Sequence, residues 1–394
     1  MNYPRTLLRA IESHINTGEI IVVTGMRRVG KTTLLQMIYE KIESDNKVFL
    51  DLENILDQRI FEENDYNNIW ANLKPFGITQ TRKAYIFLDE IQTKPGIVKA
   101  IKYLYDHYDV KFFLTGSSSF YLKNLFPESL AGRKVIFELY PLSFEEFLVF
   151  RGRQRESGDD LKKKDTEKNL ISFEKLKKHY EEYLTYGGFP QVVLNDDVTQ
   201  KISSLRDIFN SYFEKDVRTL ADFRNMSAFH DLIFLLMQRV GSKMEIAKLA
   251  SEAGVSRGTV YSYLSFLQGT YFIFLVPPYS TNVDREVSSA KKVYFCDTGI
   301  INQFGKVSDG NILENACFHT LRKFGEVRYY QRRKGSEIDF VIPERHFAFE
   351  VKSRANISDV KKLTKIASSL DMQQWFVISR EFAKGDGIIL AQDL

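Results

Sequence analysis

The sequence predicts an α/β fold: a parallel sheet around a phosphate-binding loop, then a helical lid, a winged helix-turn-helix and a second α/β domain at the C-terminal end. Three observations predict it. A β-branched run, Ile20 to Thr24, enters the glycine loop Gly25-Met-Arg-Arg-Val-Gly30-Lys31-Thr32, and a helical stretch follows with Leu34, Leu35 and Ile38 on one face. Two further apolar runs end in Asp89-Glu90 and in Thr115-Gly-Ser117, as strands of an open sheet do where they present polar groups at their carboxyl ends. From about Lys291 the pattern reads as a strand, a helix, three strands, a helix and a strand.

Composition bounds the answer. At 394 residues the chain is long enough for two to four domains, and 44% hydrophobic with 27% charged residues is an ordinary globular composition. The net charge of +4 permits nucleic-acid contact without arguing for it. Cys296 and Cys317 are the two cysteines, too few for a disulfide framework or a zinc cluster. The N-terminus lacks an apolar core of signal-peptide length, and the longest apolar run, "VYSYLSFLQGTYFIFLV", is broken by Ser, Gln, Gly and Thr. A cytoplasmic protein with no membrane association is expected.

The loop matches GxxxxGK[ST]. Glycines let backbone N–H groups turn inward around phosphate oxygens, and the helix N-terminus adds its dipole. Lys31 is placed to reach the β- and γ-phosphates of ATP, and Thr32 to bind Mg²⁺. Gly25, Arg28, Val29, Gly30 and Thr33 complete the expected cradle. Arg27 and Arg28 either touch phosphate or hold acidic neighbours, and both readings stay open. The strand Tyr85 to Leu88 ends in Asp89, a second Mg²⁺ ligand, and Glu90, a general base for the attacking water. No N-K-x-D segment for guanine follows, which favours ATP over GTP. In "VKFFLTGSSS", Thr115 or Ser117 could sit beside the γ-phosphate and orient the water; the alternative is a strand-end turn with capping serines. Arg133, just before another strand, is either an arginine finger for a neighbouring subunit or a surface arginine, and the first reading makes a homo-oligomer plausible.

These segments resemble the AAA+ superfamily, specifically the archaeal and bacterial ATPases of the AAA_14 type, where "GxRRVGKT", "LDEIQ", "LTGSS" and "AGR…PLSF.EF" follow one another as they do here. The resemblance covers about Glu19 to Phe150. It implies a five-stranded parallel sheet with an added strand, here "KVFLDLEN", between the P-loop and the acidic strand.

Four parts are expected: residues 1–150 as the ATPase core, 151–225 as a charged loop and helical lid, 226–285 as a winged helix-turn-helix, and 286–394 as the C-terminal domain. "RGRQRESGDDLKKKDTEKN" is almost all polar and reads as a mobile surface loop. "GGFP" at Gly187 to Pro190 resembles a turn of related ATPase lids. Between Met244 and Ser280 the order is helix, glycine turn, helix and a β-rich pair. The second helix would offer Ser256, Arg257, Thr259 and Tyr263 to a DNA major groove; few lysines or arginines accompany them, and a structural or oligomer-contact role is the rival.

The C-terminal order αβββαβ resembles the PD-(D/E)xK nuclease fold. That resemblance places Glu314 on the helix, Asp339 at the end of the second strand, and Glu350 and Lys352 on the third. Glu314, Asp339 and Glu350 would then hold Mg²⁺, and Lys352 would orient water or stabilise the pentavalent charge. Period-two alternation puts Glu350 and Lys352 on one face. Basic Arg332, Arg333 and Lys334 lie beside them. The chain resembles the family that pairs an AAA_14-type core with this C-terminal part, the DUF4143 type. Two functions stay open: an ATPase coupled to DNA binding and metal-dependent cleavage, or an ATP-driven switch whose C-terminal fold serves protein contacts.

Overall fold

The β-branched run that leads into the glycine loop forms a buried strand, as its apolar character requires. In the computed structural model, which describes residues 3–117, 132–153, 158–218, 223, 225–280, 289–332, 335 and 337–394, β1 (Ile20–Thr24) is buried at all five positions. With β2 (Lys47–Asp51), β3 (Ala84–Asp89), β4 (Val110–Gly116) and β5 (Lys134–Glu138) it forms a sheet ordered β2-β3-β4-β1-β5. Every pair in it is parallel. The strand between the P-loop strand and the acidic strand is therefore β4, which corrects the expectation for "KVFLDLEN". Burial is the physical reason: β4 is covered at all seven positions, whereas β2 alternates between buried and partly exposed residues, as an edge strand can.

Alternate residues divide the two faces. Ile20, Val22, Val48, Leu50, Ile86, Leu88, Phe112 and Leu114 join one core with Ile97, Ile101 and Leu104 of the helix Ile97–His107. On the other face Phe87 stacks on Phe113 at 4.3 Å, and Tyr39 of α1 (Lys31–Lys41) meets the Phe87 ring edge-on at 5.2 Å. This packing holds the start of α1 at the carboxyl end of β1, where the P-loop must stand.

The chain forms two compact units. The first comprises Met1–Tyr140, Ser211–Ala221 and Gly269–Tyr271; the second comprises Pro141–Asn210, Asp222–Gln268 and Phe272–Leu394. The second unit carries a five-stranded sheet and a two-stranded one. The pair is β6 (Ile273–Val276) antiparallel to β7 (Lys292–Phe295). The larger sheet joins β8 (Arg328–Gln331), β9 (Glu337–Ile342) and β10 (Phe347–Lys352) in antiparallel register, then adds β11 (Gln374–Ser379) and β12 (Ile388–Leu390) in parallel. The predicted αβββαβ order is present, with Asp309–Leu321 as its first helix and Ile357–Ser368 as its second.

One sequence signal acquires a physical cause in this unit. The "GGFP" turn is a close approach: a Cβ on Gly188 would lie 2.3 Å from the Leu142 carbonyl oxygen, and one on Gly187 would lie 1.9 Å from Asp297. Asp297 is buried and accepts from the N–H groups of Gly188 at 2.7 Å, Gly299 at 2.9 Å and Ile300 at 3.3 Å. It therefore caps one helix and pins a distant turn. Asp297→Ala should orphan three buried donors and destabilise the second unit by about 2–4 kcal/mol, measured by urea unfolding. A change within error would show that water replaces the carboxylate.

From Asp160 on, the charged loop departs from its expected character, while residues 154–157 of it lie outside the described residues. Leu161–Thr166 is helical, capped by Asp160, and Asp165 accepts from Gly387 N at 2.9 Å and Ile388 N at 3.1 Å. Lys164 donates to the Leu394 carbonyl at 2.6 Å. A polar segment need not be loose when its side chains satisfy backbone groups at a strand end.

Candidate nucleotide site and C-terminal carboxylate cluster

The P-loop places its residues through backbone conformations that its glycines allow. Gly25 has φ +151°, and a Cβ there would sit 2.0 Å from the Leu139 carbonyl oxygen. Gly30, at φ 97°, turns the chain into α1. Lys31 is buried, and its Nζ donates to the carbonyls of Gly25 and Met26, each at 3.0 Å. Burial lowers the Lys31 pKa, against the opposing charges of Glu90 and Asp216.

The two strand ends meet α1 as predicted. Thr32 Oγ1 donates to Asp89 Oδ2 at 2.7 Å, and Thr115 Oγ1 donates to Asp89 Oδ1. Burial pushes the Asp89 pKa up, only partly opposed by those two hydroxyls. A buried carboxylate beside a helix-start threonine, short of counter-charge, is a donor set that fits Mg²⁺. Glu90 stands in a left-handed conformation at φ 55° and ψ 48°. Its backbone N–H donates to Thr115 Oγ1 at 3.0 Å. Its carboxylate accepts from Ser117 Oγ at 2.9 Å and from Gln92 Nε2. Burial pushes the Glu90 pKa up, but the charges of Lys31 and Arg27 and these hydrogen bonds outweigh it, so the pKa lies below the usual glutamate value. Thr115 and Ser117 thus divide the two strand-end carboxylates between them: one holds Asp89, the other Glu90.

Arg133 stands away from these strand ends along its own sheet. It precedes β5 at the end that pairs with Ile20, whereas the P-loop follows Thr24 at the opposite end of the same register. Its guanidinium lies 3.4 Å from Asp106.

Sequence reasoning missed Asp216. It lies in a π-helical turn, Tyr212–Val217, and is buried. Arg27 Nε donates to Asp216 Oδ1 at 3.0 Å, and Arg27 also lies 3.8 Å from Glu53. The open question about Arg27 is answered in this state: it holds acidic neighbours. Arg28 donates to Ser211 Oγ at 3.1 Å. A signal for Asp216 existed, because it falls four residues after Tyr212 in the apolar phase of its helix. Burial raises the Asp216 pKa from 3.8 to about 6, against the charges of Arg27 and Lys31. Stability linked to its protonation is then complete below the unfolded value and lost as pH rises through about 6. The stability of the wild type relative to Asp216→Asn should fall by about 2–3 kcal/mol between about pH 4 and pH 7, followed by urea titration. A difference independent of pH would mean that Asp216 titrates as an exposed carboxylate.

In the second unit, Glu314, Asp339, Glu350 and Lys352 do come together, with an ammonium among them. Lys292 Nζ lies 2.7 Å from Glu337 Oε1, 3.3 Å from Glu314 Oε1 and 3.8 Å from Asp339 Oδ1. Tyr294 donates to Glu314 Oε1 at 2.6 Å, and Val351 N donates to Asp339 Oδ2 at 2.8 Å. Lys352 Nζ donates to Glu350 Oε1 at 2.7 Å, while Glu350 Oε2 is buried without a hydrogen-bond partner. Burial first, then the Asp339 charge, pushes Glu314 and Glu350 up to about 7. Among the described residues no group of three or more His, Cys, Asp or Glu side chains is arranged to hold a metal ion. The carboxylates expected to surround Mg²⁺ therefore do not fit it as they are gathered, because an ammonium already serves them. Lys292 was missed too; its alternation with Tyr294 on one strand face was the available sign. Arg333 and Lys334 lie outside the described residues.

The helix-turn-helix segment also has a correction. Ser256 and Arg257 are exposed and Thr259 is partly so. Tyr263 is buried, donates to the Asn225 carbonyl at 3.0 Å and packs on Phe223 and Phe229. Its helical phase turns it inward with Val260, and Tyr261, 60% exposed, takes the outer face instead.

Fold and loop together define a P-loop ATPase of the AAA class: residues 17–148 match the AAA domain model AAA_14. Residues 177–310 match the domain of unknown function DUF8612, and 309–384 match DUF4143. The chain is 31% identical over 354 residues to the uncharacterized protein MJ1544 of Methanocaldococcus jannaschii, covering 86% of this chain and 75% of that protein. It is 26% identical over 339 residues to an uncharacterized protein of Haemophilus influenzae, covering 83% and 80%. It belongs to the family of AAA_14 ATPases with a DUF4143 domain. Among solved structures, the Aeropyrum pernix ORC2 protein in its ADP form is 14% identical with a TM-score of 0.35, covering 68% of this chain and 85% of that one. The Aeropyrum pernix ORC1 protein in complex with DNA is 12% identical with a TM-score of 0.31, covering 75% and 90%. Likeness of that size decides neither activity nor partner. Among the described residues no helix is long and apolar enough to cross a membrane.

Proposed function

We propose that this protein hydrolyses ATP with Mg²⁺ and uses the cycle to switch its engagement with DNA. The observation that carries the reading is the paired arrangement at the strand ends, Thr32 and Thr115 on Asp89, Ser117 and Gln92 on Glu90. Lys31 would exchange two backbone carbonyls for phosphate oxygens. Thr32 and Asp89 would hold Mg²⁺, which supplies charge to the phosphates. Glu90 stays ionised at neutral pH because its pKa is depressed, and it can accept the proton of the attacking water. Ser117 and Gln92 fix the carboxylate's orientation. Arg133, half exposed at the far end of the sheet, would serve a neighbouring copy in a homo-oligomer.

Exposed Ser256, Arg257 and Tyr261 at the start of the second helix support nucleic-acid contact. For the C-terminal domain, the ammonium among the carboxylates favours a contact platform over a metal-dependent nuclease. The test is phosphate release from ATP in Mg²⁺, with duplex or single-stranded DNA added, beside plasmid incubated in Mg²⁺ or Mn²⁺. Turnover that rises with DNA, with the plasmid left intact, is expected. No turnover would refute the ATPase reading, a response flat across DNA types and salt would refute the DNA coupling, and plasmid cleavage lost in Asp339→Ala would refute the platform.

A further inference from the structure

The C-terminal cluster contains a cation that no motif requires. Lys292 comes from β7, outside the three-strand segment that carries Asp339, Glu350 and Lys352. Its side chain is 4% exposed, and its ammonium lies against three carboxylates on separate residues: Glu337, Glu314 and Asp339. The buried ammonium is within hydrogen-bond reach of Glu337 and Glu314 and at ion-pair distance from Asp339. An ammonium in such a place is tolerable only because the acids compensate its lost hydration, and the acids are tolerable only because of the ammonium. Backbone packing fixes the arrangement: a Cβ on Gly241 would lie 2.9 Å from Glu314 Oε2, and the Gly241 N–H donates to the Val293 carbonyl at 2.9 Å. Tyr294, two residues from Lys292 on the same strand, donates to the Glu314 oxygen that Lys292 also approaches.

We propose that Lys292 is the resident counter-cation of this cluster, standing in for a divalent metal, so that the domain folds and works without one and binds a divalent cation at Asp339 only when Lys292 is removed. A divalent cation bound by Glu314 and Asp339 would have to approach the volume and the oxygen atoms that Nζ already uses. Two cations cannot share Glu314 Oε1 and Asp339 Oδ1 without mutual repulsion at low local dielectric. Glu350 Oε2, buried and unpartnered, is the remaining acceptor on which a cation would draw once the ammonium is gone. The inference rests on the platform reading of the C-terminal domain and is independent of ATP turnover, which is assayed separately.

The experiment titrates Mn²⁺ into nucleotide-free full-length protein and reads two signals, the thermal unfolding midpoint and the electron paramagnetic resonance signal of free Mn²⁺. The wild type, Asp339→Ala, Lys292→Met and the Lys292→Met/Asp339→Ala pair are compared. The Mn²⁺-induced change in each signal should be the same for the wild type and Asp339→Ala, whatever their midpoints without metal. Lys292→Met should bind Mn²⁺ at least about tenfold more tightly than the wild type, the factor expected when one like charge leaves a buried site, and the double variant should lose that gain. A wild type whose Mn²⁺ binding depends on Asp339 would overturn the proposal, as would a folded Lys292→Met that gains none. If Lys292→Met folds only when Mn²⁺ is present, the metal has replaced the ammonium and the proposal holds. If it folds in neither condition, the wild-type titration against Asp339→Ala decides alone.

Discussion

Glu90→Gln should leave ATP binding near the wild-type level and slow phosphate release by about 10²–10⁴-fold, the range for loss of a positioned general base. The amide keeps the shape of the carboxylate, so Ser117 and Gln92 still have an oxygen to approach. What disappears is the acceptor for the water's proton. The depressed Glu90 pKa adds a second expectation: wild-type turnover should hold its rate as pH falls toward the ordinary glutamate value of 4.5, until other groups fail first. Binding by calorimetry and turnover by phosphate release separate the two effects. Normal turnover in the variant would remove Glu90 from the mechanism and leave it as a partner of Lys31.

Lys31→Ala acts earlier in the cycle. In the absence of phosphate its ammonium is satisfied by two carbonyls, of Gly25 and Met26. With ATP those donors turn to phosphate oxygens, and two charge-assisted bonds at about 1.5–3 kcal/mol each correspond to a loss of about 10²–10⁴ in affinity. The alanine variant should also fold well, because Lys31 is buried with a lowered pKa and its removal relieves a desolvated charge. Fluorescent-nucleotide titration checks the first statement and thermal unfolding the second. An affinity close to the wild type's would show that the backbone cradle alone binds the polyphosphate.

Much of the ATPase site was legible because it is written in contiguous segments. A phosphate cradle needs glycines, a lysine and a hydroxyl in fixed order along one strand-loop-helix, and Gly25, Gly30, Lys31 and Thr32 state that order directly. Asp89, Glu90 and Ser117 follow because strand ends of a parallel sheet converge. The strand order was misjudged for "KVFLDLEN", since sequence position says nothing about which strand is inserted; the fully buried β4 fills that place. Tyr263 was misassigned to the outer face because an aromatic helix residue fits either side, and only packing against Phe223 and Phe229 settles it.

By itself the sequence determined the P-loop and its order of residues, the α/β class and the αβββαβ order at the C-terminal end, and it named the residues of the expected nucleotide site. Tertiary structure alone decided which charges those residues face. Asp216 reaches Arg27 across 189 positions of chain, and Lys292 reaches Glu337 and Asp339 from another strand. The helical phase of Asp216 and the strand alternation of Lys292 hint at burial but name no partner, because a buried ion pair needs only that two distant side chains be brought within a few ångströms in a medium that cannot screen them.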